Sequence, residues 1–173
     1  MFSRAAQGSI PTINIDKILS QTKSPAKEEN KVDEQFLKDQ DILARTVWGE
    51  ARGQGYAGMQ AVASVVLNRL KRGGFGNTVA QVCQKPYQFS VWNANDANRN
   101  LILAVNEDNA EFQRAILIAS RAMHGNLPDN TGGADHYLNI TVTKRLRGGT
   151  LPSWVDLSRK TAKIGAHTFL KLT

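Results

Sequence analysis

Two stretches of helical periodicity, separated by a glycine-rich break, constrain this chain more than any other feature. The first runs from about Asp33 to Arg52, where Phe36, Leu43 and Val47 recur on one stripe. Asn30 or Asp33 is placed to cap it, and Gly53 and Gly55 to stop it. The second runs from Tyr56 to about Leu70, with Met59, Val62, Val66 and Leu70 on one face. Ala57, Ala61 and Ser64 form a small-residue face that lets another helix approach closely. Two such helices joined by so short a break must pack on each other or on a shared core.

Downstream, Thr78–Gln84 predicts a short helix and Ala110–His124 a longer one, its apolar side made by Phe112, Ala115, Ile116 and Ala119. Pro86–Asn109 reads as an Asn- and aromatic-rich loop with room for a short helix near Leu101–Val105. Ala134–Ile140 and Lys163–Leu172 read as strands. The fold class expected is α+β, mainly α, in a single domain over residues 32–173 with a small β element near the C-terminal end. Residues 1–31 read as an arm, partly flexible, because polar residues dominate and Pro11 and Pro25 interrupt helical runs. Ile10, Ile13, Ile15, Ile18 and Leu19 are its docking candidates. The opening MFSRAAQGSI breaks its apolar run at Gln7, Gly8 and Ser9, which argues against a secretory signal. The longest apolar run, Ala61–Leu67, falls short of the roughly 18–20 residues of a membrane span.

One cysteine, Cys83, leaves no intramolecular disulfide, so packing carries the fold. The net charge of +7 is a local property: residues 141–173 hold seven basic side chains and one acidic. That excess implies an anionic partner: a nucleic acid, an acidic lipid or an anionic cell-wall polymer, the last two being envelope surfaces that basic residues 144–163 would meet. No helix carries a continuous basic face and no nucleic-acid-binding motif is present, so no nucleic acid is expected. A solubilising surface with no partner is the plainer alternative.

Chemistry enters at Glu50. On a wheel with Leu43 at zero, Phe36 falls near about +20°, Val47 near about +40° and Glu50 near about −20°. A glutamate thus lies in register with the apolar stripe, while Arg45 and Arg52 fall on the opposite side. Burial and the negative end of the helix dipole both disfavour its charged form. A carboxyl held protonated near neutrality is what a general acid requires. A boundary glutamate turned outward is the bland alternative.

The segment Ile42–Leu70, ILARTVWGEARGQGYAGMQAVASVVLNRL, resembles the cell wall hydrolase family of the spore-cortex-lytic enzymes. The resemblance rests on Gly49-Glu50-Ala51-Arg52-Gly53, then Gly58 with Ala61, Val62, Val65, Asn68 and Arg69. It continues through Tyr87-Gln88-Phe89-Ser90, Gly132–Asn139, Pro152 with Trp154, and Ile164-Gly165 with His167 and Phe169. It implies a lysozyme-like fold that cleaves the glycan strands of peptidoglycan, with Glu50 as catalytic acid/base. In the spore enzymes one acid protonates the glycosidic oxygen, then takes a proton from the sugar's 6-hydroxyl as a 1,6-anhydro ring closes. Tyr137-Leu138-Asn139-Ile140 preceded by His136 departs from the spore-type pattern and looks more like phage and proteobacterial members. This implies an endolysin, a monomer held in the host cytoplasm until a holin releases it to the periplasm and wall. It also leaves room for hydrolysis with Asp135 as second carboxylate.

The substrate-binding candidates are Gln88, Phe89, His136, Tyr137, Asn139, Trp154 and His167. Aromatic faces stack on sugar rings, and amides and imidazoles bond hydroxyl and N-acetyl groups. Each could equally be packing. Asn68 and Arg69 read as structural hydrogen-bonding residues across the helix pair, and Gly49 and Gly53 as permitting close approach beside Glu50. His124, Asp135, His136 and His167 lack the spacing of a zinc set, so no metal and no cofactor is expected. A non-catalytic wall-binding module would use the same groove without cutting.

Overall fold

The computed structural model describes residues 25–173. The expected arm over 1–31 therefore lies mostly outside the described residues. The compact unit is Gln35–Thr173; the chain before Gln35 belongs to a separate unit.

Six α-helices are described: α1 (Pro25–Ala51), α2 (Gly55–Arg72), α3 (Val79–Gln84), α4 (Arg99–Ala104), α5 (Ala110–Met123) and α6 (Ile140–Leu146). Three short strands complete the unit: β1 (His136–Leu138), β2 (Lys160–Ile164) and β3 (His167–Leu170). The expected mainly helical α+β class is the one observed. Helix α1 starts at Pro25, earlier than the Asn30 or Asp33 caps imply. Proline at the first helical position loses only an N–H that has no intrahelical acceptor, so it opens a helix that it would break further in.

Helix α2 is the central element. Gly58, Met59, every residue from Ala61 to Val66, and Arg69 are buried. It packs against α5 and α3 and touches β2. Ala61, Ala63 and Ser64 are what permit this, since a helix buried on several sides needs short side chains where backbones approach; Ala57, expected on the same face, is exposed. Leu43 and Val47 of α1 and Met59, Val62 and Val66 of α2 meet Val82, Ile102, Phe112 and Ile118 in one core. Each such side chain contributes about 1.5–3 kcal/mol on burial. Cys83 lies within this core, its thiol pushed up to about 12 by burial, so it is an inert hydrophobe.

The strands form one antiparallel sheet in the order β1-β3-β2, with Tyr137 opposite Phe169. A smaller core of Ala61, Val65, Ala134 and Phe169 seats the sheet on α2. The run expected as one strand over Lys163–Leu172 is a hairpin, turned at Gly165 (φ +56°) and Ala166. The Gln54 side chain at the α1–α2 break accepts the Ala166 N–H at 3.1 Å and ties that turn to the helices. The run expected as a strand to Ile140 stops at Leu138. Asn139 Oδ1 then accepts the Val142 N–H at 3.0 Å and caps α6.

Gly49 performs the close approach expected of it. A Cβ there would lie 2.7 Å from Ile102 Cγ2 and 3.0 Å from Val91 Cγ1. Gly53 differs: its φ of +80° follows the end of α1, its N–H donates to Glu111 Oε1 at 3.1 Å, and a Cβ there would meet nothing within 4 Å. Both neighbours of Gly49 are buried and β-branched, so they cannot swing aside. Gly49→Ala is expected to destabilise the protein by about 1–2 kcal/mol net of its helix-propensity gain, read as a lower unfolding midpoint in denaturant. An unchanged midpoint would show that the α1–α4 contact is looser than described.

Candidate active site

Glu50 is the penultimate residue of α1 and is half-buried. Its Oε2 accepts the Tyr137 hydroxyl at 2.8 Å, and its Oε1 is buried with no partner in the protein. Burial pushes the Glu50 carboxyl above the ordinary range, and the Asp96 charge adds to this. The Tyr137 hydroxyl, the Val91 N–H and the Arg69 charge act the other way without overcoming burial. Burial, together with the adjoining glutamate, raises the Tyr137 phenol well above its usual value, so it remains a donor. The wheel's placement of Arg45 and Arg52 holds. Arg45 pairs with Asp41 at 2.9 Å, and Arg52 stacks on Trp48 and bonds Asn98.

Beside Tyr137 lies a cavity of about 260 Å³ lined by Arg69, Tyr87, Gln88, His136, Tyr137 and Trp154. Four of the sequence-derived candidates, Gln88, His136, Tyr137 and Trp154, thus come together from two loops and β1. The His136 ring lies 5.6 Å from Trp154 and 6.2 Å from Phe75. Its Nδ1 is 2.7 Å from Asp135 Oδ1, which fixes the ring's orientation.

Three candidates fall elsewhere. Phe89 is fully buried beneath the cavity, its ring 4.9 Å from the Arg69 guanidinium. Asn139 lines a separate depression with Lys163 and Thr168, its side-chain oxygen occupied as the α6 cap. His167 stands edge-on to Tyr137, ring centres 5.0 Å apart, with Nδ1 buried and unpartnered. Burial lowers its pKa, which keeps the imidazole neutral.

Asp135 does not supply a second carboxylate to the cavity. It is completely buried and accepts from Arg72 Nη1 at 2.6 Å, the Leu172 N–H at 2.9 Å, the Thr173 N–H at 3.2 Å and the Thr173 hydroxyl. Against burial, which raises it, the His136 imidazole, the Thr173 hydroxyl and the Leu172 N–H hold its pKa at about 2. A carboxylate so engaged has no lone pair to offer a water or a sugar.

Arg69 is a cavity-lining side chain that sequence reasoning assigned to structure alone. Its Nε donates to Asp135 O at 2.6 Å, as a structural role requires. Its guanidinium also sits over Phe75 and Phe89 with Nη1 buried and unpaired, and its charge reaches Glu50. Asn68 bonds Ala134 O at 2.9 Å and Asp129, so it braces the loop before β1 and does not bridge helices. Among the described residues no group of His, Cys, Asp and Glu is arranged to hold a metal ion.

This arrangement can donate a proton and take it back. A neutral carboxyl beside a polar, aromatic-walled groove protonates a leaving oxygen, and the carboxylate that results is met by a hydroxyl donor and a buried cation.

A family model described as Cell Wall Hydrolase matches residues 53–170. The spore cortex-lytic enzyme of Bacillus cereus is 34% identical over 134 residues, covering 77% of this chain and 44% of that protein. The spore cortex-lytic enzyme of Halalkalibacterium halodurans is 31% identical over 131 residues, 76% of this chain and 34% of that protein. The chain therefore spans less than half the length of these curated relatives. Among solved structures, the catalytic domain of the germination-specific lytic transglycosylase SleB from Bacillus anthracis matches with a TM-score of 0.57 at 33% identity, covering 77% of this chain and 93% of that chain. The catalytic domain of Bacillus cereus SleB matches with a TM-score of 0.56 at 31% identity, covering 77% and 89%. The likeness extends the expected lysozyme-like architecture to this chain.

Proposed function

The chain belongs to the cell wall hydrolase family, and from that premise we propose that it cleaves the glycan strand of peptidoglycan by lytic transglycosylation with Glu50 as the one acid/base. The observation that carries this reading is the Glu50 carboxyl, raised in pKa by burial and hydrogen-bonded by Tyr137 beside a cavity of sugar-binding character. Glu50 protonates the bridging oxygen between N-acetylmuramic acid and N-acetylglucosamine. The C1–O bond breaks, and the muramoyl ring develops oxocarbenium character. The new carboxylate is stabilised by the Tyr137 hydroxyl and the Arg69 charge. It then removes the proton from the muramoyl 6-hydroxyl, whose oxygen closes on C1. Water is not consumed, and Glu50 ends protonated as it began. The engagement of Asp135 by Arg72 and the Leu172 and Thr173 amides supports one carboxylate over a hydrolytic pair.

The setting we propose is that of a phage endolysin released to the wall of its host. It is supported by the Ala134-Asp135-His136-Tyr137 sequence and by Lys144, Arg145, Arg147, Arg159, Lys160 and Lys163, exposed on α6, β2 and the chain between them and suited to an anionic envelope. No helix among the described residues is long and apolar enough to cross a membrane.

Mass spectrometry of digested peptidoglycan tests the chemistry. Anhydro-muramoyl products, lighter by one water than hydrolytic products, are expected. A free reducing muramic acid would replace transglycosylation with hydrolysis, and glycan strands bound but never shortened would leave a binding module.

A further inference from the structure

Tyr87 is the feature that neither packing nor the proposed chemistry uses. It is 88% exposed, and among the described residues it is the one non-glycine with positive φ, at 63°. A tyrosine held in left-handed backbone with its ring in solvent is strained without any return from burial. Its backbone is pinned by its own N–H donating to Asn93 Oδ1 at 3.3 Å.

The ring stands between two depressions. On one side is the cavity beside Glu50's partner Tyr137. On the other is a larger one, about 450 Å³, whose walls include Pro86, Tyr87, Trp92, Asn93, Asn95 and Arg99. Trp92 is fixed there: its Nε1 donates to the buried Thr46 hydroxyl at 2.9 Å, and Arg99 Nη1 bonds its carbonyl at 2.5 Å. With its N–H satisfied inward, the indole offers the second depression an apolar face. Two aromatic side chains and the amides of Asn93 and Asn95 lining one depression suit a ring that is apolar on its C–H face and rimmed with hydroxyl and acetamido groups.

We propose that this second depression is a distal sugar subsite, taking an N-acetylated hexosamine ring of the same strand that is cut beside Glu50, with Tyr87 as the shared wall that sets the strand's path. The assignment rests on the glycan-cleavage reading for its meaning, but its test does not depend on turnover.

The full chain is titrated with the N-acetylglucosamine tetramer while backbone amide resonances are followed. Shifts are expected at Asn93, Asn95 and Arg99 as well as at Gln88 and Tyr137. Tyr87→Gly, which relieves the backbone strain, is expected to raise the unfolding midpoint yet weaken tetramer binding about tenfold and erase the shifts over 93–99. Asn95→Ala, at an exposed position, weakens binding several-fold. On long glycan strands the Tyr87→Gly loss falls on KM more than on kcat. Shifts confined to the Tyr137 side, or wild-type tetramer affinity in Tyr87→Gly, would overturn the subsite. A wild-type protein that binds the tetramer across both depressions but never shortens strands would sink the cleavage reading and leave the subsite standing.

Discussion

Glu50→Gln is expected to abolish glycan cleavage and leave the fold intact. The amide has the carboxyl's shape, and its oxygen can still accept the Tyr137 hydroxyl that Oε2 now accepts at 2.8 Å. What it cannot do is release a proton to the leaving oxygen or take one from the 6-hydroxyl. General acid–base assistance is worth about 10²–10⁴-fold, and here one group serves both steps, so a loss of at least about 10³-fold is expected. Stability should hold or rise at neutral pH. Burial raises the wild-type carboxyl's pKa, so its protonated form favours folding at low pH, and this contribution is lost as pH rises through the raised value. The amide has no such loss. Activity follows the same titration: the acid must be protonated at the start, so the rate falls as pH rises through a pKa lying above the ordinary carboxylate range. Turbidity loss on outer-membrane-permeabilised cells, beside thermal midpoints, measures both. Near-normal lysis by Glu50→Gln would remove the assignment.

The helices that frame Glu50 were legible because their apolar period is long and regular. Leu43 and Val47, and Met59, Val62 and Val66, sit where a 3.6-residue period puts them, fully buried. Two short elements were legible as well: α3 is the helix expected after Thr78, and α4 lies where a short helix near Leu101–Val105 was expected. The others were not, for separate reasons. Residues 141–143, Thr-Val-Thr, are β-branched and suggest strand, yet they form the first turn of α6 because the Asn139 side chain caps it. Strand β2 is weakly marked: Ala162 and Ile164 alternate with exposed Thr161 and Lys163, but neither is fully buried and Ala162 is small, so its pairing to β3 is what makes it a strand. In Pro86–Asn109 the tight turns are set by side chains such as Asn93 and Asp96, which bond the chain locally and leave no period to read.

Glu50 was visible from one helix alone, since polarity in register with an apolar stripe is a local signal. Its surroundings were not. Tyr137, the residue that touches it, lies 87 positions away, and only the seating of β1 on α2 brings the two together. Phe89 and Arg69 exchanged their expected places for a reason of size and charge. The ring of Phe89 fills the floor, and the guanidinium of Arg69 lies over it, shielding a cation that a sequence pattern had paired with structural work. His167 reads as a polar candidate in isolation. Pairing of β3 with β1 sets it behind Tyr137, where it supports the phenol that Glu50 uses.

Asp135→Ala is expected to cost about 3 kcal/mol of stability or more, the effect of stripping one partner from a buried charged network. The carboxylate binds Arg72 of α2 and the two amides that follow β3, and its own backbone accepts Arg69 Nε and donates to Leu170 O at 3.0 Å. Removing it leaves those amides without an acceptor and frees the sheet's outer end from α2. The pH dependence carries the same signature with the opposite sign to Glu50. Folding lowers the Asp135 pKa from 3.8 to about 2, so its contribution of about 2 kcal/mol is present above the unfolded value and disappears as pH falls from about 4 toward 2. Asp135→Asn should start from a lower midpoint at neutral pH and lack that acid-side loss. At temperatures where it remains folded it should still cut glycan to anhydro products, because no lone pair of Asp135 faces the sugar. A variant with a wild-type midpoint and no turnover would instead make Asp135 the second catalytic carboxylate, and the wild-type products would then carry a reducing end.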